Sequence, residues 1–192
     1  MPPPPVKDID RGWKAIMREI KKFKDYDFVV DVGLVGKEAG QVHAEEGFGG
    51  KAFIGTQEPL TNAKLASFHE FGTVAGGSAR SGGSVLHVPE RSFIRSTIDE
   101  KQNQITRLFE RVAGAVLGLH MTWERGFGII GVQVTNWIKA KIRKGIPPPL
   151  MPATIAARKR QFGKASSKPL IASGQLLGAI THEVRRRSEG EK

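Results

Sequence analysis

The apolar positions near the amino terminus follow a helical period. Five of them recur at spacings of four, three, four and three: Ile9, Trp13, Ile16, Ile20 and Phe23. Lysine and arginine fill the positions between them, so the pattern predicts an amphipathic helix. Asp8 precedes the pattern, and we expect it to cap this helix.

The next segment alternates in the manner of a strand. Phe28, Val30, Val32 and Leu34 lie two residues apart, which predicts a strand over 28–35 with these side chains on one face. Gly36 to Gly40 is typical of a turn. Residues 41–44 and 51–55 are then expected to be second and third strands, so the region predicts an antiparallel meander.

A short helix is expected after Pro59, with Thr61 or Asn62 as its cap and Gly72 at its end. Residues 75–84 are rich in glycine and serine and predict a loop, followed by a short strand over 85–88. Such a loop inside a compact domain is often functional.

The central part of the chain keeps a helical period over two stretches, from Ser92 to Leu119 and from Thr122 to Lys144. The pattern alone leaves open whether these are one helix or two. The prolines at 147–149 end the second stretch. Residues 151–162 predict a further helix, and residues 179–184 a closing strand.

These elements predict an α+β fold in which a small, mostly antiparallel sheet packs against the N-terminal helix and a long central helix. A chain of 192 residues is typical of one domain. We therefore expect a proline-rich arm at 1–7, one domain at 8–184 that contains the flexible loop 75–84, and a charged tail at 185–192.

Charge separates the chain into two parts. The net charge is +11, and residues 121–192 hold 14 lysines and arginines against four aspartates and glutamates. A basic region of this kind fits an acidic partner such as nucleic acid, or an ordinary solvated surface. No apolar run is long enough to span a membrane, and the first ten residues hold no apolar stretch typical of a secretory signal.

Catalytic and metal-binding patterns are missing from the sequence. The chain has no cysteine, which excludes disulfides and thiolate sites. His69-Glu70 begins like a zinc-protease motif, but Thr73 stands where the second histidine belongs. Gly49-Gly50-Lys51 lacks the first glycine and the hydroxyl of a phosphate-binding loop. We expect no catalytic residue, no metal and no cofactor.

Two pairs of motifs carry a resemblance to a known family. The first pair is Leu65–Thr73 (LASFHEFGT) and Val88–Arg95 (VPERSFIR), and the second is Thr154–Lys159 (TIAARK) and Lys168–Leu177 (KPLIASGQLL). In this order and spacing they resemble the tailed-phage virion-morphogenesis proteins, also called the tail-completion or neck family. The resemblance spans about residues 28–185. Ser92 replaces the proline that the family favours.

The resemblance implies a structural virion protein rather than an enzyme. Members of this family look like small α+β domains that form rings, commonly hexamers, at the head–tail joint. The implied partners are further copies of the chain, the tail-tube protein and neck or connector proteins. Genomic double-stranded DNA would pass through the lumen without sequence-specific binding. The implied location is the virion, after assembly in the host cytoplasm, with no membrane contact.

Seven residues of the first motif pair are candidates for subunit or partner contacts: Phe68, Glu70, Phe71, Thr73, Arg91, Phe93 and Arg95. We expect Glu70 to pair with Arg91 or Arg95, within or between subunits. The alternative is that Phe68 and Phe71 belong to the core and that Glu70 caps a local element.

Seven cations are candidates for a basic surface: Lys139, Lys141, Arg143, Lys144, Arg158, Lys159 and Arg160. They support the alternative function, a DNA-binding protein that uses its basic C-terminal third. Their spacing fits solvated helix ends equally well, because cations are favourable near helix C-termini.

Overall fold

The computed structural model describes residues 12–42, 60–75, 86–163 and 167–187. In these ranges the chain forms seven helices and two two-stranded antiparallel sheets, which confirms the predicted α+β class. The elements in chain order are α1 Trp13–Tyr26, β1 Phe28–Gly33, α2 Gly36–Gly40, α3 Asn62–Phe71, β2 Thr73–Ala75, β3 Leu86–Val88, α4 Arg95–Leu117, α5 Trp123–Lys144, α6 Pro152–Phe162, α7 Gln175–Ala179 and β4 Thr181–Arg186.

The main sheet joins the two ends of the fold. β1 pairs antiparallel with β4, from Phe28 opposite Arg186 to Gly33 opposite Thr181. The prediction of a turn over 36–40 was wrong, because this segment is the short helix α2. The predicted second strand contributes one isolated bridge, between Val42 and Thr61, and the predicted third strand lies outside the described residues.

The predicted alternation of β1 is confirmed. Phe28, Val30, Val32 and Leu34 all pack against the hydrophobic core, which α5 dominates. A Cβ atom at Gly131 of α5 would lie 2.7 Å from the Cγ atom of His182 in β4. This glycine therefore allows α5 to approach the sheet closely.

The central region consists of two helices rather than one. α4 ends before Gly118, and the Thr122 side chain accepts a hydrogen bond from the amide of Arg125 to cap α5. At Gly126 an added Cβ would overlap Val112, so the two helices approach closely at this glycine. α4 and α5 thus pack as an antiparallel pair, with α5 in contact with both strands of the main sheet.

An aromatic cluster holds α1 on this pair. The rings of Phe23, Phe109 and Trp123 surround Phe127, with centroids 6.1 to 6.4 Å from its own. The indole nitrogen of Trp123 donates to the backbone oxygen of Glu19 at 3.0 Å. The predicted cap Asp8 and the arm at 1–7 lie outside the described residues, and α1 begins at Trp13.

Two boundaries differ from their predictions. The loop predicted at 75–84 was wrong at its first residue, because Ala75 lies in β2 and pairs with Leu86 of β3; residues 76–84 lie outside the described residues. The predicted start of the charged tail, at residue 185, was also wrong. Arg185 and Arg186 belong to β4, because they pair with Val29 and Phe28 of β1. The Arg185 side chain also forms an ion pair with Asp31. No helix in the described ranges has the length and apolarity needed to cross a membrane.

Candidate functional site

The Glu70 carboxylate lies at the centre of the first motif pair. Oε1 accepts hydrogen bonds from the Ser92 hydroxyl at 2.6 Å and from the Arg95 amide at 2.9 Å. Oε2 accepts from the amides of Phe93 at 2.8 Å and Ile94 at 3.0 Å. These amides open α4 and have no partner within the helix. Glu70, from the last turn of α3, therefore caps α4 from outside.

The expected pairing of Glu70 with an arginine was wrong within the subunit. Four protein donors already occupy its two oxygens, and the alternative expectation of a local cap matches the geometry. Burial raises the pKa of Glu70, but the hydrogen bonds from the Ile94, Arg95 and Phe93 amides and the Ser92 hydroxyl outweigh it and lower the pKa below its ordinary value. The charged carboxylate is thus the form that the fold stabilises.

Arg91 is buried and performs a different task. Its Nε donates to the backbone oxygen of Pro148 at 2.9 Å, and its Nη2 donates to that of Pro149 at 3.4 Å. Its own amide donates to the His69 oxygen at 2.7 Å. Burial, followed by the charge of Arg158, lowers the pKa of the Arg91 guanidinium. Arg91 therefore links the last turn of α3 to the prolines that follow α5.

Phe71 and Arg95 are the members of the set that face outward. Phe71 is 65% exposed, and the Arg95 guanidinium lies 5.5 Å from the centre of its ring. Arg95 also forms an ion pair with Glu90 at 2.6 Å. Phe71, Arg95 and Glu90 thus lie together on one exposed surface, which combines an aromatic ring with an ion pair.

The other candidates contribute to the fold rather than to an open surface. Phe93 is fully buried, so its expected place in a subunit contact was wrong. Phe68 is half-buried, and Thr73 begins β2. Gly72 between them has φ +69°, and a Cβ there would lie 2.9 Å from the Glu90 backbone nitrogen. The glycine of the motif is required because backbone from the opposite segment fills the space of a side chain.

An apolar groove of about 440 Å³ opens beside Phe71, between α3 and α4. We call it the Phe71 groove, and its apolar lining consists of Leu34, Ala63, Ala66, Phe71, Ile94 and Ile98. Asp99 and Arg95 stand at the same groove. Apolar periodicity predicts the helices α3 and α4 but not how they lie against each other, so it could not indicate the groove between them.

The basic candidates divide into structural and exposed cations. Lys141 forms an ion pair with Glu100 at 2.6 Å, and Arg158 donates to the oxygens of Lys168 and Ile171 at 2.9 and 3.2 Å. The remaining five lie in α5 and α6, Lys139 one turn before the end of α5 and four in the last turns: Arg143, Lys144, Lys159 and Arg160. Four of these are exposed and Lys139 is half-buried, so they can meet an acidic partner.

The sequence did not indicate Ser92 as a partner of Glu70, although a serine before a helical pattern is a capping signal. Within the described residues, no group of three or more histidines, aspartates or glutamates is placed to hold a metal ion. Comparison with known proteins gives no match, whether with family models, with curated proteins or with solved structures.

Proposed function

We propose that this protein is a structural subunit of a tailed-phage virion that forms a ring, as a hexamer, at the head–tail joint. The ring completes the tail tube and connects it to the neck, and DNA passes through its lumen. The order and spacing of the two motif pairs support this proposal from the sequence. The observation that carries it in the structure is the exposed Phe71 beside an apolar groove.

The geometry of Phe71 suits a contact between subunits. A rigid ring of identical subunits needs a patch on one copy that fits a different patch on the next. Aromatic side chains are enriched in such contacts, because they bury a large area with few rotatable bonds. Glu70 ties the last turn of α3 to the start of α4, so Phe71 projects from a rigid base and loses little freedom on contact.

Replacing Phe71 with serine tests this directly. The Phe71→Ser variant should shift the purified protein from a ring to smaller species in native mass spectrometry and negative-stain micrographs. Its thermal midpoint should change little, because the exposed ring contributes little to the core. The matched control is Val132→Ser, which removes an apolar side chain that is 48% exposed on α5. A variant ring as abundant as that of the control would contradict the assignment of Phe71.

A DNA-binding protein remains the second candidate, because exposed cations gather in the last turns of α5 and α6. The two functions differ in their salt dependence. A DNA-binding protein should bind duplex DNA tightly, with an affinity that falls steeply between 50 and 200 mM salt. A ring through which DNA moves should bind weakly at both concentrations. Gel-shift titrations of a generic duplex would separate the two.

A further inference from the structure

One long stretch of the chain carries cations and no carboxylates. Residues 125–182 contain ten lysines and arginines and no aspartate or glutamate. The fold brings part of this stretch together, because the Lys168 Nζ atom donates to the Arg143 oxygen at 2.6 Å and the Arg158 guanidinium donates to the Lys168 oxygen at 2.9 Å. We call the resulting surface the basic end, and its exposed cations are Arg143, Lys144, Lys159, Arg160 and Lys168.

An exposed apolar strip lies between the two helices that supply most of these cations. It consists of Pro147, Pro148, Pro149 and Met151, all of which are exposed, and Met151 is 72% exposed. The last turn of α5 directly precedes the strip, and α6 directly follows it. Cations therefore stand on both sides of the apolar groups along the chain.

The strip is attached to the interior of the fold. The buried Arg91 donates to the Pro148 and Pro149 oxygens at 2.9 and 3.4 Å. Ile146, directly before the strip, is buried and belongs to the hydrophobic core. Each proline also restricts its own backbone. A partner that covers the strip would thus lose little affinity to the ordering of this segment.

The mixture of apolar and cationic groups decides which polyanion this surface fits. Cations and hydrogen-bond donors hold the phosphates of nucleic acid, and exposed aromatic rings hold its unpaired bases. The described part of the basic end exposes no aromatic ring, and proline and methionine side chains donate no hydrogen bond to phosphate. An acidic polypeptide offers carboxylates to the cations and apolar side chains to the strip.

We propose that the basic end binds an acidic segment of another protein, one that carries apolar side chains between its carboxylates. The apolar side chains pack on Pro147–Met151, and the carboxylates pair with the exposed cations on either side. Five residues span at most about 17 Å, which matches a single segment rather than a broad folded surface. This inference goes beyond the proposed ring, whose subunit contact is at Phe71, and does not depend on it.

Fluorescence anisotropy with three labelled probes at physiological salt tests the proposal. The probes are a peptide in which glutamate alternates with leucine, a peptide of equal length and charge in which serine replaces leucine, and a duplex DNA. Met151→Ser removes an exposed apolar side chain, and Val132→Ser on α5 is its control. Arg160→Glu reverses an exposed charge, and Arg125→Glu is its control. Arg125 lies about 27 Å from Arg143 along α5, which is several screening lengths.

The glutamate–leucine peptide should bind about fivefold or more tightly than the glutamate–serine peptide, because it buries apolar side chains. Met151→Ser should reduce this preference, and Arg160→Glu should weaken the binding of both peptides several-fold. Both controls should bind the peptides as the unsubstituted protein does.

Equal binding of the two peptides would overturn the inference, and so would equal losses in Arg160→Glu and Arg125→Glu. Failure of the glutamate–leucine peptide to bind would overturn it as well. Duplex DNA that binds more tightly than either peptide, and that Arg160→Glu releases, would replace the acidic segment with nucleic acid. The oligomeric mass of the same sample reports on the ring separately, so a failure of one proposal is distinguishable from a failure of the other.

Discussion

At the scale of single residues, the polar contacts of the candidate site centre on one carboxylate, that of Glu70. Glu70 is buried, yet the charged form is stabilised, because the three backbone amides of residues 93–95 at the start of α4 and the Ser92 hydroxyl replace its hydration. A negative charge at a helix N-terminus is also favoured by the helix dipole. One side chain thereby holds the last turn of α3, and with it Phe71, against the start of α4.

Replacing Glu70 with alanine should destabilise the fold substantially. The change leaves the first amides of α4 buried without an acceptor, which we expect to lower the free energy of unfolding by about 2–4 kcal/mol. Urea denaturation followed by circular dichroism measures this. The control is Glu90→Ala, which removes an exposed ion pair with Arg95 and should cost less than about 1 kcal/mol. Equal losses in both variants would contradict the capping arrangement.

Acid should remove the contribution of Glu70. Its pKa is lower in the folded chain than in the unfolded chain, so the stabilisation is complete above the ordinary value of 4.5 and is lost as pH falls through the folded pKa. The Glu70→Gln variant cannot titrate at this position. The difference in the free energy of unfolding between the Glu70→Gln variant and the unsubstituted protein should therefore decrease from pH 6 to pH 3. A gap that stays constant over this range would show that the carboxylate charge is not stabilising.

At the scale of elements, the close approach of α5 to the sheet depends on small residues. Gly131 faces His182 of β4, whereas an added Cβ at Gly128, one turn earlier, would meet open space. The same helix therefore contains one glycine required by packing and one that is not.

This difference predicts that alanine at the two glycine positions changes the free energy of unfolding in opposite directions. Gly131→Ala should destabilise the fold by about 1–3 kcal/mol, because the new methyl group overlaps the His182 ring. Gly128→Ala should stabilise it by about 0.5–1 kcal/mol, because alanine favours the helix. Thermal unfolding of the two variants side by side checks the pair. Stabilisation by both would indicate that α5 and β4 are farther apart than described.

The longer helices were predictable from local periodicity, but the short helices α2 and α7 and the pairing of β1 with β4 were not. α5 and α6 begin and end within one or two residues of their predicted bounds, because apolar period, caps and prolines are local signals. The pairing of β1 with β4 joins residues more than 140 positions apart, and no local pattern reports it. Glu70 was singled out by its motif, but three of its four hydrogen-bond partners are backbone amides, which carry no sequence signal.

At the scale of the whole molecule, the described surface has several unlike regions. The Phe71 groove opens between α3 and α4, a second apolar groove lies between β1 and α4, and exposed cations mark the last turns of α5 and α6. Such a distribution suits a subunit that meets unlike neighbours on different sides. In the proposed ring, the exposed Phe71 and its groove contact a further copy, while the cations face acidic neck proteins or the DNA that passes through.

The mass of the purified 192-residue chain in solution tests the central claim most directly. Native mass spectrometry, with negative-stain micrographs of the same sample, should show closed rings whose mass is a multiple of 21.0 kDa, six for the proposed hexamer. A single species of 21.0 kDa at every protein concentration, without rings in the micrographs, would contradict the account.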